Sequence, residues 1–230
     1  MGKLIFHGQS CTEIVTADGT RLLVDPFLTE NPIADVGPEH FHDGLDYMLL
    51  THGHFDHVAD AWHLLATTGA TLIASFEIAA YAQQVLGHEK AHQMHIGGGY
   101  DFPFGRVKMT PALHGGQVWG EGAGGYTTVP AGFLLTLDGT GIYLAGDTGL
   151  TMDMQLLEGQ VDVAMLPIGD NFTMGPEDAA RAVDMIKPRV VIPVHYDTWP
   201  LIKQDPEDFR ARVEPRAEVV VLQPGDVYEF

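Results

Sequence analysis

The chain has 230 residues, 45% of them hydrophobic, and a formal net charge of −19 from 31 Asp and Glu against 12 Lys and Arg. That length suits one α/β domain over residues 1–230 with a full core, and excludes a disordered chain. The acidity argues against a partner in nucleic acid, whose phosphates are met by Lys and Arg, and against anionic lipid.

The first third reads as strands joined by tight turns. Residues 4–6, 11–16 and 21–24 are short β-favouring runs, and Ala17-Asp18-Gly19-Thr20 reads as a hairpin turn. Residues 46–50 (DYMLL) form a buried-type strand ending at Thr51. Val58, Ala61, Trp62 and Leu65 then recur at helical spacing from His57 until Gly69, which suits a helix stop. A strand at 71–74 precedes a second helix, marked by Ile78, Ala82, Val85 and Leu86 and ended at Gly87.

Strands follow at 106–113, 132–137, 142–145 and 161–166. Gly175-Pro176-Glu177-Asp178 opens a helix that runs to about Lys187, with Pro in the first turn and acids favouring the dipole, and Pro188 ends it. A strand at 189–194, a helix from Asp205-Pro206-Glu207 and a strand at 218–222 complete the chain. Strand clusters interleaved with helices in both halves predict an α/β fold of two sheets packed face to face with helices outside.

Cys11 is the single cysteine, which excludes an internal disulfide and a zinc site of several cysteines. No signal-peptide core and no apolar run of membrane-spanning length is found, so a cytoplasmic chain with no membrane partner is expected.

Twelve His, as many as the Lys and Arg together, need an explanation that solubility does not supply. Thr51-His52-Gly53-His54-Phe55-Asp56-His57 provides one: His52, His54, Asp56 and His57 stand directly after a strand and before a helix. In an extended segment residues 52 and 54 face the same side and can share a cation, while Asp56 and His57, at the turn into the helix, can face a second. His114, Asp147 and His195 each follow a predicted strand. Singly each is ambiguous; together they make seven candidate ligands at four strand ends, enough for two divalent metal ions with a carboxylate between them.

THGHFDH, with His114, the AGDTG around Asp147, His195 and the early VDPF, resembles the metallo-β-lactamase superfamily of dinuclear hydrolases over nearly the whole chain. HGQSC, LLVDPFLTENP, PAGF, PIGDNFTMGP and VIPVHYDTWP are similar to a branch of metal-dependent hydrolases related to the L-ascorbate-6-phosphate lactonases. The resemblance implies an αββα sandwich of two mixed sheets flanked by helices. It implies His52, His54 and His114 on one metal, Asp56, His57 and His195 on the other, Asp147 bridging, and Asp25 behind them as a hydrogen-bond partner. Zinc is favoured, and manganese or iron also suits such donors. A homo-oligomer is compatible with it.

Asp147 stands where one group of zinc β-lactamases has Cys, and His54 and His57 stand where redox di-iron members have Glu or lose a ligand, so hydrolysis is favoured over oxygen chemistry. The expected activity is attack by a metal-bridging hydroxide on a small ester or lactone, the cations lowering the pKa of water from about 15.7 toward 7. Asp56 is the candidate catalytic residue, orienting the nucleophile and passing its proton to the leaving group. The alternatives are a phosphodiesterase of a small phosphoester and a metal-binding protein without activity. No Lys or Arg occurs in 51–62, 114–133, 145–153 or 166–176, which disfavours a phosphorylated substrate.

The Gly-rich segment 115–131, with Trp119 and Tyr126, is expected to form a mobile lid. His7 reads equally as an active-site or a core histidine. Asp170 and Asn171 are either substrate contacts or a polar turn. Asp60 either supports a ligand or faces solvent, and Tyr196 and Trp199 either wall the pocket or fill the core. Gln9 stands where relatives of that branch often have His.

Overall fold

In the computed structural model, which describes residues 1–230, the two expected sheets are present, each with seven strands. Strands β1 (Lys3–Phe6), β2 (Thr12–Val15) and β3 (Arg21–Val24) form an antiparallel meander, and β4 (Tyr47–Leu49), β5 (Thr71–Ser75) and β6 (Ala91–Met94) extend it in parallel. The second sheet repeats the scheme. Strands β7 (Gly99–Phe102), β8 (Gly105–Pro111), β9 (Ala131–Leu137) and β10 (Thr140–Leu144) are antiparallel, and β11 (Val163–Pro167), β12 (Val190–Val194) and β13 (Glu218–Val219) add in parallel. Strand β14 (Val227–Glu229) returns to pair with β1 in the first sheet.

Alternation along the strands decides what each face does. Leu22, Val24, Leu49, Phe133, Leu144 and Ile192 point between the sheets and belong to the central core. Their neighbours Leu23 and Met48 face outward, under helices α1 (Phe55–Val58), α2 (Ala61–Thr68) and α3 (Phe76–Gln84). Tyr143 and Val191 face outward on the other side, under α4 (Pro176–Ile186) and α5 (Pro206–Val213). Four layers result, αββα. Parallel strands place their carboxyl ends on one edge, and this is where the chain leaves β4, β10 and β12 for Thr51, Ala145 and His195.

Strands β6, β7 and β14 have no counterpart among the expected elements, and three further details depart from expectation. The helix foreseen from His57 to Gly69 is two helices, because Asp60 donates its N–H to Pro26 O at 3.1 Å rather than up the helix. Asp60 neither supports a ligand nor faces solvent: its carboxylate accepts Leu28 N (2.7 Å), Thr29 N (3.0 Å) and Thr29 Oγ1 (2.5 Å). The last predicted strand, 218–222, is cut to Glu218–Val219. No helix is long and apolar enough to cross a membrane. Cys11 is fully buried, and burial pushes its thiol pKa up.

Candidate metal centre

The structure brings all seven predicted ligands together in two groups. His52, His54 and His114 form one, and Asp56, His57, Asp147 and His195 the other, with the donor atoms of each group within 4.8 Å of one another. His54 Nδ1 faces His114 Nε2 at 3.1 Å. Asp147 lies between the groups: its Oδ2 is 3.0 Å from His195 Nε2 and 3.5 Å from His114 Nε2, and its Oδ1 is 3.2 Å from His57 Nε2.

Each ligand is set by backbone geometry at a strand end. His54 is the N-cap residue of α1, with extended backbone, so His52 and His54 precede the helix while Asp56 and His57 lie in its first turn. The loop bearing His114 is tied to the loop bearing Asp147, since Leu113 N donates to Thr148 Oγ1 at 2.9 Å and Gly149 N to Leu113 O at 3.1 Å. His195 has φ 54°, Asp25 φ 47° and Gln9 φ 56°, left-handed conformations that cost non-glycine residues free energy and concentrate at functional sites.

Asp25 and Thr51 fix the tautomers of two imidazoles. Asp25 Oδ2 accepts from His57 Nδ1 at 2.8 Å and from Thr51 Oγ1 at 2.6 Å, while Oδ1 accepts Thr51 N at 2.8 Å. With its proton given to Asp25, the Thr51 hydroxyl can only accept from His52 Nδ1, 3.1 Å away. Both rings therefore carry hydrogen on Nδ1 and turn the Nε2 lone pair inward. Nothing in the sequence alone singled out Thr51; its signal is its place between the strand and the His run.

His52 Nε2, His57 Nε2, Asp147 Oδ1 and both ring nitrogens of His195 are buried without a well-aligned hydrogen bond, the short approaches of His57 and His195 to Asp147 being poorly directed. Each such atom costs about 1–3 kcal/mol if left unmet. Converging nitrogen and carboxylate donors are what divalent cations need, so the residues fit metal ions.

Charge divides the two groups. Burial pushes His52 well below its ordinary pKa, aided by His57, and burial also lowers His54 and His114. Burial would lower His57 too, but Asp147, Asp56 and Asp25 hold it well above the usual range. His195 is likewise raised against burial, to about 9, chiefly by Asp147. Burial opposes ionisation of Asp56 and Asp147, yet the facing His57 and His195 keep both well below the usual carboxylate range. Three neutral imidazoles thus stand beside a group whose carboxylates already attract positive charge, carried by protons where no cation is bound.

Other expectations resolve differently. His7 is a buried residue outside both groups, with Nδ1 at 2.8 Å from Asp35 and Nε2 at 3.3 Å from Glu13. Asp170 and Asn171 form a left-handed turn closed by Asp170 N to Met174 O, and Asp170 Oδ1 accepts Asn171 N, so they read as a polar turn. Tyr196 packs partly buried on the outer core, and burial pushes its pKa up to about 12. Trp199 packs on Phe27 at 5.8 Å, Phe27 on Phe55 at 5.5 Å, and Phe55 in turn on Trp119 at 5.5 Å.

The segment 115–131 is pinned rather than free. Trp119 N donates to Gly53 O at 2.7 Å, Trp62 Nε1 to Trp119 O at 2.8 Å, and Tyr81 OH to Glu121 O at 2.8 Å. A β-carbon on Gly53 would sit 2.6 Å from Val118 Cα, so glycine there is what permits this close approach. Gln9, left without a role by the sequence, is fully buried beside Asp56.

The model of the beta-lactamase superfamily domain matches residues 20–196. A UPF0173 metal-dependent hydrolase of Enterococcus faecalis is 47% identical over 226 residues, covering 97% of this chain and 98% of that protein. A second, from Desulfitobacterium hafniense, is 46% identical over 231 residues, covering 97% and 96%. Among solved structures, a metallo hydrolase from the archaeon Ignicoccus hospitalis superposes with a TM-score of 0.86 at 33% identity, covering 100% of this chain and 99% of that one. The two-sheet architecture and the matched sequence agree: the chain belongs to the beta-lactamase superfamily and, within it, to the UPF0173 family of metal-dependent hydrolases.

Proposed function

We propose that this chain is a dinuclear metal-dependent hydrolase of a small ester or lactone. The observation that carries the reading is the set of buried donor atoms without a well-aligned hydrogen bond, in two groups that share Asp147. His52, His54 and His114 would hold one divalent cation, Asp56, His57 and His195 the second, and Asp147 both. Bound there, the cations would supply an acidified water and polarise the oxygen of the scissile group.

The protein's own part is positioning and proton handling. Asp25 and Thr51 hold His57 and His52 with their lone pairs inward. Asp56 is partly exposed and so stands between the buried donors and solvent, where its carboxylate can take a proton from the attacking water and return it to the leaving alkoxide. Phe55, between His54 and Asp56 in sequence, packs on Trp119, and no Lys or Arg occurs in 51–62, 114–133, 145–153 or 166–176, which suits a neutral acyl group better than a phosphate. Nitrogen-rich donors favour zinc; manganese and iron are the alternatives.

The test is metal analysis together with a substrate panel on protein reconstituted separately with zinc, manganese and iron. Two equivalents of metal per chain and turnover of esters or lactones, lost in His54→Ala and Asp147→Ala, are expected. Absence of stoichiometric metal after reconstitution refutes the site. Turnover of bis-p-nitrophenyl phosphate without any lactone or ester refutes the substrate class, and inertness across the panel with two metals bound refutes the activity.

A further inference from the structure

We propose that Gln9 is a positioning residue that sets the affinity of the second cation position alone, by holding Asp56 and His195 in place. The proposal rests on the two-cation reading above. Gln9 sits in the turn between β1 and β2, where Gly8 (φ 98°) and Gln9 (φ 56°) are both left-handed and Cys11 N closes on Gly8 O at 3.0 Å. That backbone sends the side chain inward, where it has no exposed surface. A buried primary amide must place two kinds of group, and here each has one partner.

Its Nε2 donates to Asp56 Oδ2 at 2.9 Å, and its Oε1 accepts from the Thr198 hydroxyl. Its backbone oxygen accepts from His195 N at 2.8 Å. The orientation of the amide is not arbitrary. An ionised Asp56 can only accept, so the nitrogen must face it, and the oxygen is left for Thr198, whose hydroxyl can donate. Thr198 therefore locks the amide that locks the carboxylate.

The oxygen that Gln9 holds is the one turned to the cation position. Asp56 Oδ2 lies 3.5 Å from His57 Nε2 and 3.3 Å from His195 Nε2. An N–H fixed on one lone pair of that oxygen restrains rotation of the carboxylate and would leave another free for a cation. His195 is held through its backbone, at a residue whose left-handed conformation needs outside support. None of the hydrogen bonds of Gln9 reaches His52, His54 or His114. Its loss should thus act on one group and spare the other.

A neutral amide also donates whatever the pH, whereas an imidazole at this place would have to choose a tautomer. Gln9→His still offers an N–H to the same oxygen and serves as the conservative rescue.

The test is a stepwise zinc titration of the metal-stripped full-length chain against a chromophoric chelator, for wild type, Gln9→Leu, Gln9→His and Thr198→Val. In Gln9→Leu one of the two equivalents, the one bound at the Asp56 and His195 position, is expected to weaken by about 10–100-fold, the usual range for partners that orient a ligand, with the other unchanged. Thr198→Val should shift the same equivalent in the same direction by less, and Gln9→His should recover most of the loss. If Gln9→Leu does not fold, Thr198→Val decides, since it removes only the hydroxyl that orients the amide. Equal weakening of both equivalents, or no change in either, overturns the assignment of Gln9 and leaves the two-cation reading intact. Fewer than two equivalents on wild type removes that reading and this proposal together.

Discussion

Replacing Asp25 by Asn changes one oxygen to an amide nitrogen and leaves the side-chain shape intact. Asn also tolerates the left-handed backbone found here, φ 47°, so no new backbone strain is introduced. The carboxylate accepts from three donors: Thr51 N, Thr51 Oγ1 and His57 Nδ1. An amide has a single oxygen and cannot serve both ends. If that oxygen faces Thr51 Oγ1 and His57, the amide N–H groups meet Thr51 N–H, and a buried donor is left unpaired. If it faces Thr51 N, the amide N–H groups point at His57 Nδ1, which must lose its hydrogen to Nε2, the atom turned toward the proposed cation. Either way one buried hydrogen bond is lost, at about 1–3 kcal/mol. For a chain of this size that is a fall in Tm of roughly 2–4 °C per kcal/mol. The second orientation also weakens zinc at the position that His57 would share by about 10–100-fold, or roughly 1.4–2.8 kcal/mol. Calorimetry of the metal-stripped variant and chelator competition measure the two effects separately. An Asp25→Asn protein that melts with wild type and binds both equivalents unchanged would show that the tautomer of His57 is set by something else.

Other consequences are open to direct measurement. Glu13 is buried, which alone would raise its pKa, but His7 and Arg21 hold it down to about 2 from 4.5; its stabilisation is complete above pH 4.5 and is lost as pH falls toward 2. Glu13→Gln should cost on the order of 3 kcal/mol above pH 4.5 and shift acid unfolding, followed by circular dichroism, to higher pH; superimposed curves would rule out this tie. In the metal-stripped protein the raised His195, at about 9 against 6.5, stabilises fully below pH 6.5 and loses that effect as pH rises through 9. Metal-stripped protein should therefore lose stability between pH 6 and 10 while the metal-loaded form does not, and parallel Tm profiles would contradict it. Gly53→Ala places a methyl group 2.6 Å from Val118 Cα and 2.8 Å from Gln117 O, so the pinned segment must lift, at about 1–3 kcal/mol. Faster limited proteolysis within 115–131 is expected, and an unchanged cleavage rate would mean the segment is not held there.

The strands that face a core on both sides were legible because a run such as VVIPV at β12 has no polar position to disguise it. Strands β6 and β7 were missed because they lie at the sheet edges with polar or exposed residues, AHQM and GYDF, whose pairing comes from a neighbour and not from their own pattern. The seven donors could be read from composition and position, since His and Asp at strand ends are visible without a fold. What surrounds them could not. Asp60 bonds to residues 28 and 29, and Thr198 reaches Gln9 across 189 positions of sequence, so no local window contains either pair. The segment after His114 looked free because glycine permits motion; its anchors, Gly53 O, Trp62 and Tyr81, come from elsewhere in the chain.

His52, His54, Asp56 and His57 leave the first sheet, whereas His114, Asp147 and His195 leave the second. Cations bound as proposed would clasp the open edge of both sheets at once, so their binding energy would count toward the stability of the whole sandwich by mass action. If that holds, the same edge is where the metal-depleted sheets are expected to part and a protease to enter. The abundance of the protein in a cell should then follow metal supply, with the site acting on turnover of the chain as well as on its chemistry.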